Sequence, residues 1–121
     1  MRRALLTVAL LFVACGGNAL EQGREMFNAG RYADAKARLE NVDSDTYRGF
    51  DVRTRTMYAL YRGLVFGALG DRSSAKAWLG LAKQIEESHP SSLAPDDAVR
   101  LKLAEQQYGA LPPTSEPPPS R

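Results

Sequence analysis

Two stretches of the chain closely resemble each other: GRYADAKARL at residues 30–39 and GDRSSAKAWL at residues 70–79. The likeness extends further when residues 19–39 are aligned with residues 59–79, and we call the shift between these two segments the repeat offset. The identical pairs are Ala19/Ala59, Leu20/Leu60, Gly23/Gly63, Gly30/Gly70, Ala35/Ala75, Lys36/Lys76, Ala37/Ala77 and Leu39/Leu79. A fixed internal period is typical of proteins built from repeated structural units. We therefore predict one structural motif used twice.

Each unit has the pattern of two helices separated by a glycine turn. Small and apolar residues recur every three or four positions on both sides of Gly30 and Gly70, and no alternating run indicates a strand. Glycine readily adopts the left-handed backbone conformation that ends helices. In the second unit we expect Ser73 to cap the helix that follows the turn.

A further helix is predicted from Pro95. Proline suits the first position of a helix, and the acids Asp96 and Asp97 are favourable near the positive end of the helix dipole. We expect this helix to cover the exposed side of the second unit, as terminal helices do in repeat proteins. The sequence thus predicts an all-α domain over residues 19–110.

The two units resemble the tetratricopeptide repeat (TPR), whose helical hairpins carry small residues where the paired helices touch. The turn Gly30-Arg31-Tyr32 is similar to the turn of that family. The resemblance implies two TPR-like hairpins followed by a closing helix. The family period is about 34 residues, and we assign the excess to a polar link at residues 43–48. The matching small residues are Gly23, Ala35, Gly63 and Ala75.

The first fourteen residues, MRRALLTVALLFVA, have the pattern of a secretory signal peptide. Arg2 and Arg3 precede an uncharged apolar run at residues 4–14. This run is too short to cross a hydrocarbon core, which needs roughly 20 residues. We therefore interpret residues 1–14 as a leader for export.

The leader ends in Val13-Ala14-Cys15-Gly16, which resembles the lipobox of bacterial lipoproteins. The resemblance implies that Cys15 is acylated and becomes the new N-terminus, with residues 15–18 as a short tether. It also implies a location in the cell envelope, at the periplasmic face of the outer membrane. An ordinary cleavage site with a free thiol is the alternative.

The opposite end, residues 111–121, has five prolines in the sequence LPPTSEPPPSR. Such a segment has little apolar surface to bury, so we expect an extended, disordered tail.

The composition excludes several classes of function. The chain has 16 Lys and Arg against 14 Asp and Glu, and the leader holds two of the basic residues, which leaves 14 against 14. A neutral chain gives no electrostatic reason to expect nucleic acid as a partner. One cysteine excludes an intramolecular disulfide, and one histidine excludes a two-histidine metal site. We expect neither cofactor nor metal.

Candidates for catalysis are few. His89 is expected in a loop next to Ser88, but a triad depends on geometry in space and not on adjacency along the chain. The acids Glu86, Glu87, Asp96 and Asp97 lack the ligand pattern of a calcium loop. We therefore expect a protein that is not an enzyme, and a small periplasmic hydrolase is the least favoured alternative.

A binding surface is the remaining candidate site. The helix predicted over residues 51–69 carries a second apolar stripe, beside the one that the repeat assigns to packing. The resemblance implies that this stripe and the corresponding face of the first unit form a groove for a partner. The alternative is that these residues pack one hairpin against the other. The predicted partner-binding residues are Arg24, Phe27, Met57, Tyr61 and Leu64.

The function predicted from the sequence is that of an envelope-anchored lipoprotein that acts as a small adaptor or assembly factor. Its partner would be an envelope protein or peptide segment, and acylated Cys15 would hold it to the membrane. A self-associating structural lipoprotein, with the same surface forming a homodimer, is the alternative.

Overall fold

The computed structural model describes residues 16–109 of the chain, and these residues form six α-helices and no strand. The predicted all-α fold class is correct for this part of the chain. The helices are α1 (Gly16–Asn28), α2 (Tyr32–Glu40), α3 (Ser44–Arg48), α4 (Val52–Ala68), α5 (Arg72–Ser88) and α6 (Pro95–Tyr108). The predicted leader, Cys15 and the predicted tail at residues 111–121 lie outside the described residues.

Three predicted boundaries need correction. Helix α1 begins at Gly16, so residues 16–18 are helical where a tether was expected. The polar link contains the short helix α3, whose N-cap Asp43 accepts a hydrogen bond of 2.8 Å from the backbone N–H of Thr46. The cap of α5 is Asp71, which accepts from the backbone N–H of Ser74, whereas Ser73 lies inside the first turn. A carboxylate before the first helical residue satisfies N–H groups that the helix leaves free.

The glycine turns of the two units have the same geometry. Gly30 has a φ of +81° and Gly70 a φ of +90°, which is the left-handed region open to glycine. In both turns the N–H that follows the glycine donates to the carbonyl five residues earlier, at 2.8 and 2.9 Å. These bonds satisfy carbonyls at the helix ends, so each helix stops there and the chain reverses.

The same close contact between helices also occurs twice, at equivalent positions of the two units. A Cβ atom placed on Gly23 would lie 2.6 Å from Cγ of Leu39, and one placed on Gly63 would lie 2.7 Å from Cγ of Leu79. Both leucines are fully buried. The glycines therefore let α1 approach α2, and α4 approach α5, closely enough for a leucine to fill the gap.

The long-range contacts show how the helices run. Phe27 of α1 packs on Tyr61 of α4, and Arg24 contacts Met57, so the positions along the two helices increase together. Tyr61 in turn contacts Asp97 of α6, and Gly67 lies against Tyr108. Helices α1, α4 and α6 are therefore parallel, while the short turns reverse the direction of α2 and α5.

The core lies between these helices and is centred on α4. Helix α6 covers α4 and α5, as the prediction of a covering helix requires. Its Leu101 and Ala104 are buried. The buried apolar residues are Leu20, Ala35, Leu39, Tyr58, Ala59, Leu60, Tyr61, Val65, Phe66, Ala75, Trp78, Leu79, Ala82, Leu93, Leu101 and Ala104.

Candidate binding face

Four of the five predicted partner-binding residues meet where α1 lies against α4. An Nη1 atom of Arg24 lies 3.6 Å from the sulfur of Met57, to which it donates. The ring of Phe27 packs edge to face on Tyr61, with 5.8 Å between the ring centroids. The fifth residue, Leu64, is half-buried against the core. Met57 and Tyr61 of the predicted stripe thus contact α1.

Tyr61 does not have the exposure that a direct contact with a partner needs. Its side chain is 1% exposed and its hydroxyl donates a 2.7 Å hydrogen bond to Oδ1 of Asp97. The expectation that Tyr61 is an exposed anchor is therefore wrong, and the alternative of internal packing is right for this residue. It is covered because α6 brings Asp97 and Arg100 over it, which periodicity within α4 does not reveal.

Arg100 of α6 completes the face and is absent from the predicted residues. Its guanidinium carbon lies 5.8 Å from the centroid of Phe27 and 5.8 Å from that of Tyr61. A cation over an aromatic ring is attracted by the electron-rich face of the ring. The repeat offset aligns Arg100 with the apolar residues Leu20 and Leu60, so the repeat gives no signal for Arg100. We call the half-buried set Arg24, Phe27, Met57 and Arg100 the three-helix face.

The electrostatics of the face centre on Tyr61. Burial raises the pKa of the Tyr61 phenol above its usual value, and the hydrogen bond to Asp97 raises the pKa further. The positive charges of Arg100 and Arg24 act on the same pKa in the opposite direction. The phenol therefore stays protonated at neutral pH and remains a donor to Asp97. Both guanidinium groups are close enough to Tyr61 to act on its pKa.

The three-helix face offers a partner both charge and apolar surface. Arg24 is 36% exposed and lies 3.6 Å from the carboxylate of Glu21 in a solvent-screened ion pair. The ring of Phe27 also packs at a tilt against the ring of Tyr32, which is at the surface. Two guanidinium groups flank an aromatic ring and a thioether, an arrangement suited to acidic and apolar side chains of a partner.

Two arginines of α4, Arg55 and Arg62, pack on aromatic rings within the chain. Arg62 is buried, with its guanidinium carbon 4.7 Å from the centroid of Trp78, and it donates to the hydroxyl of Tyr58 at 2.9 Å. Its Nη2 atom lies 3.8 Å from Oε2 of Glu40. Arg55 covers the ring of Tyr47. Arg55 and Arg62 are therefore held by contacts within the chain.

The candidates for catalysis are dispersed. His89 is exposed at the end of α5, and Glu86 accepts a hydrogen bond of 2.7 Å from the hydroxyl of Ser92. Among residues 16–109, no group of three or more His, Cys, Asp or Glu side chains is arranged to hold a metal ion. None of the helices described is long and apolar enough to cross a membrane.

Comparisons with known proteins give no relative. No family model matches the chain, and no curated protein or solved structure matches it.

Proposed function

We propose that this protein is an envelope-anchored lipoprotein that acts as a small adaptor or assembly factor by holding a segment of a partner protein. The observation that carries the proposal is the three-helix face. Arg24, Phe27, Met57 and Arg100 come from three different helices and converge around the buried ring of Tyr61.

The residue types of this face favour protein binding. Aromatic and arginine side chains are the usual anchors of protein interfaces, where truncation of an anchor commonly costs about 2 kcal/mol or more. Methionine adds an adaptable apolar surface. The hydrogen bond between Tyr61 and Asp97 fixes α4 against α6, so the face is held in place before a partner arrives. A face held in this way loses less entropy on binding.

The repeated contacts support a TPR-like interpretation of the two helix pairs. The Gly23–Leu39 and Gly63–Leu79 contacts and the two glycine turns follow the repeat offset. In the TPR family, the face that corresponds to α1 and α4 holds a peptide or helix of a partner. The proposed partner is accordingly an extended or helical segment with acidic and apolar residues.

Acylation of Cys15 would fix the orientation of the domain at the membrane. Helix α1 begins at Gly16, immediately after Cys15, so there is no spacer between the proposed anchor and the domain. Because α1, α4 and α6 are parallel, their N-terminal ends would face the lipid and the three-helix face would run away from it. Several acyl chains give stable anchoring, whereas a single chain is marginal.

The anchor is tested by labelling. Full-length protein with Cys15→Ala is expected to lose incorporation of labelled fatty acid and to leave the membrane fraction, while Ser44→Ala, at an exposed residue, retains both. Labelling and membrane association that persist without Cys15 would contradict the anchor.

The binding face is tested by tagged full-length protein purified from envelopes in mild detergent. Phe27→Ala and Arg100→Glu are each expected to lose a co-purifying envelope protein at unchanged helical circular dichroism. The matched control is Arg48→Glu, which reverses an exposed charge on α3, a helix that contributes no residue to the face, and should keep the partner. Equal loss in all three variants, or in none, would contradict the proposal.

A further inference from the structure

Helix α6 occupies the place of the first helix in a third unit. Helices α1, α4 and α6 end at Asn28, Ala68 and Tyr108, so each later end is one repeat offset beyond the one before. All three run in the same direction. Helix α4 packs on α1 and α2, and helix α6 packs on α4 and α5 in the same way.

In the first two units, the second helix covers one face of the first. Gly63 marks this face on α4, because it lies against Leu79 of α5. The repeat offset aligns Ala59 with Val99 and Gly63 with Leu103. On α6 these two side chains are each 58% exposed, more than the other large apolar side chains of the described residues. The face that α5 covers on α4 is therefore open on α6.

Residues 112–120 are unsuited to this place. The offset assigns the missing second helix to residues 112–120, which contain five prolines. Proline lacks the backbone N–H and clashes with the preceding turn, so it is strongly unfavourable inside a helix. Helix α6 also stops at Gly109, whose φ is +79°.

We infer that Val99 and Leu103 are a docking site for an amphipathic helix of another protein, which lies antiparallel to α6 as α5 lies on α4. This site goes beyond the proposed function, because it is on the opposite side of α6 from the residues that contact α4. The bound helix completes the third unit.

The residues at the site define the helix that fits. Leu103 stands where the other units have glycine, so the incoming helix needs glycine or alanine where α5 has Leu79. Lys102 is exposed beside the apolar pair and occupies the position of Arg62, which contacts Trp78 of α5. An acidic residue in the place of Trp78 would therefore meet Lys102. The occupant is a helix with a small residue and an adjacent acidic residue at its centre.

A second copy of this chain fits the site poorly. In an antiparallel pair of α6 helices, Leu103 of each copy would meet Val99 of the other, where the site needs glycine or alanine. Ala98 would stand where an acidic residue would meet Lys102.

The test uses a probe helix designed from α5. The probe is a fluorescent peptide of residues 72–88 that carries Trp78→Glu and Leu79→Gly, titrated into the purified full-length chain. We expect it to bind at least tenfold more tightly than the same peptide with Leu79 retained. Protein with Leu103→Gly should reverse this preference. Equal affinity of both peptides for both proteins, or no binding to either, would overturn the inference.

Fusion of each probe helix to the protein avoids the low stability of short isolated helices. In each fusion, one of the two probe helices replaces residues 110–121 and is joined to α6 by a flexible linker, which gives the probe a high local concentration. The Tm of the fusion with Leu79→Gly should exceed that of the fusion with Leu79, and Leu103→Asp should abolish the difference. Equal Tm values would contradict the inference. A dimer of the unmodified chain that Leu103→Asp dissociates would assign the site to a second copy and overturn it as well.

Discussion

The hydroxyl of Tyr61 in α4 donates a 2.7 Å hydrogen bond to Oδ1 of Asp97 in α6, and both residues are buried. This bond joins the helix at the centre of the core to the helix that closes it. It also holds the ring of Tyr61 beneath Phe27 and Arg100. The stability of the domain and the shape of the three-helix face therefore depend on the same pair.

We predict that Tyr61→Phe destabilises the domain by about 1–3 kcal/mol, because it leaves the buried Asp97 carboxyl without this donor. Tyr61→Ala should cost more, since it also removes the ring from the core. Denaturant unfolding measures both effects. In a double-mutant cycle, Tyr61→Phe should cost much less when Asp97 is already alanine. Additive costs would show that the two side chains are not coupled.

The sequence predicts the helices and their glycine turns well, because those depend on local spacing. The repeat offset indicates Gly23, Gly30, Gly63 and Gly70, and both pairs have the roles expected of them. The cap of α5 is Asp71 and not the predicted Ser73. Both side chains accept hydrogen bonds at helix starts, and the sequence alone does not choose between neighbours.

The candidate site is predicted less completely, because it depends on packing between distant helices. Helical spacing groups Met57 with Tyr61 on α4, but it does not show that α6 covers Tyr61. From the sequence Asp97 is a charge at the start of a helix, and its burial follows from a contact 36 residues away. Arg100 could not be predicted from the sequence for the same reason, because its contact with Tyr61 depends on how α6 packs on α4.

We predict that Gly63→Ala destabilises the domain by about 1–3 kcal/mol through overpacking. The new Cβ would lie 2.7 Å from Cγ of Leu79 and 3.2 Å from its backbone nitrogen, so the helices must separate. The control is Gly49→Ala, where the nearest atom lies at 3.5 Å and φ is negative. Thermal unfolding of both variants tests this contact, and a harmless Gly63→Ala would contradict it.

We predict that acid weakens the helix caps. The backbone N–H of Thr54 holds the pKa of Asp51 below the usual 3.8, and the N–H of Ser74 does the same for Asp71. A carboxyl group whose pKa is lowered in the folded state stabilises the fold at pH values above 3.8. This stabilisation is lost as the pH falls through the lowered pKa. Denaturant midpoints should therefore decline as the pH falls below 3.8.

The capping residue itself supplies the control for this prediction. Asp51→Asn and Asp51→Ser keep an acceptor at the cap but do not titrate, so both should make the acid decline shallower. Asp51→Ala should lower stability at every pH. An unchanged acid decline in the asparagine and serine variants would exclude the cap as a cause.

We predict that Ser91→Gly stabilises the domain by about 0.5–1 kcal/mol. Ser91 has a φ of +69° in the segment between α5 and α6, a conformation that costs a side chain more than it costs glycine. Ser73→Gly, inside the first turn of α5, should be destabilising in the same thermal assay. Equal effects of the two substitutions would show that the backbone conformation is not the cause.

The central claim is that the three-helix face binds a partner in the envelope. Its most direct test is site-specific photo-crosslinking in cells, with a photoreactive residue at Met57 of the full-length chain and a matched control at Ala37, which is exposed on α2. We predict one discrete crosslinked product from position 57, lost when Arg100→Glu is added, and none from position 37. The same product from both positions, or a product from position 57 that survives Arg100→Glu, would contradict the claim.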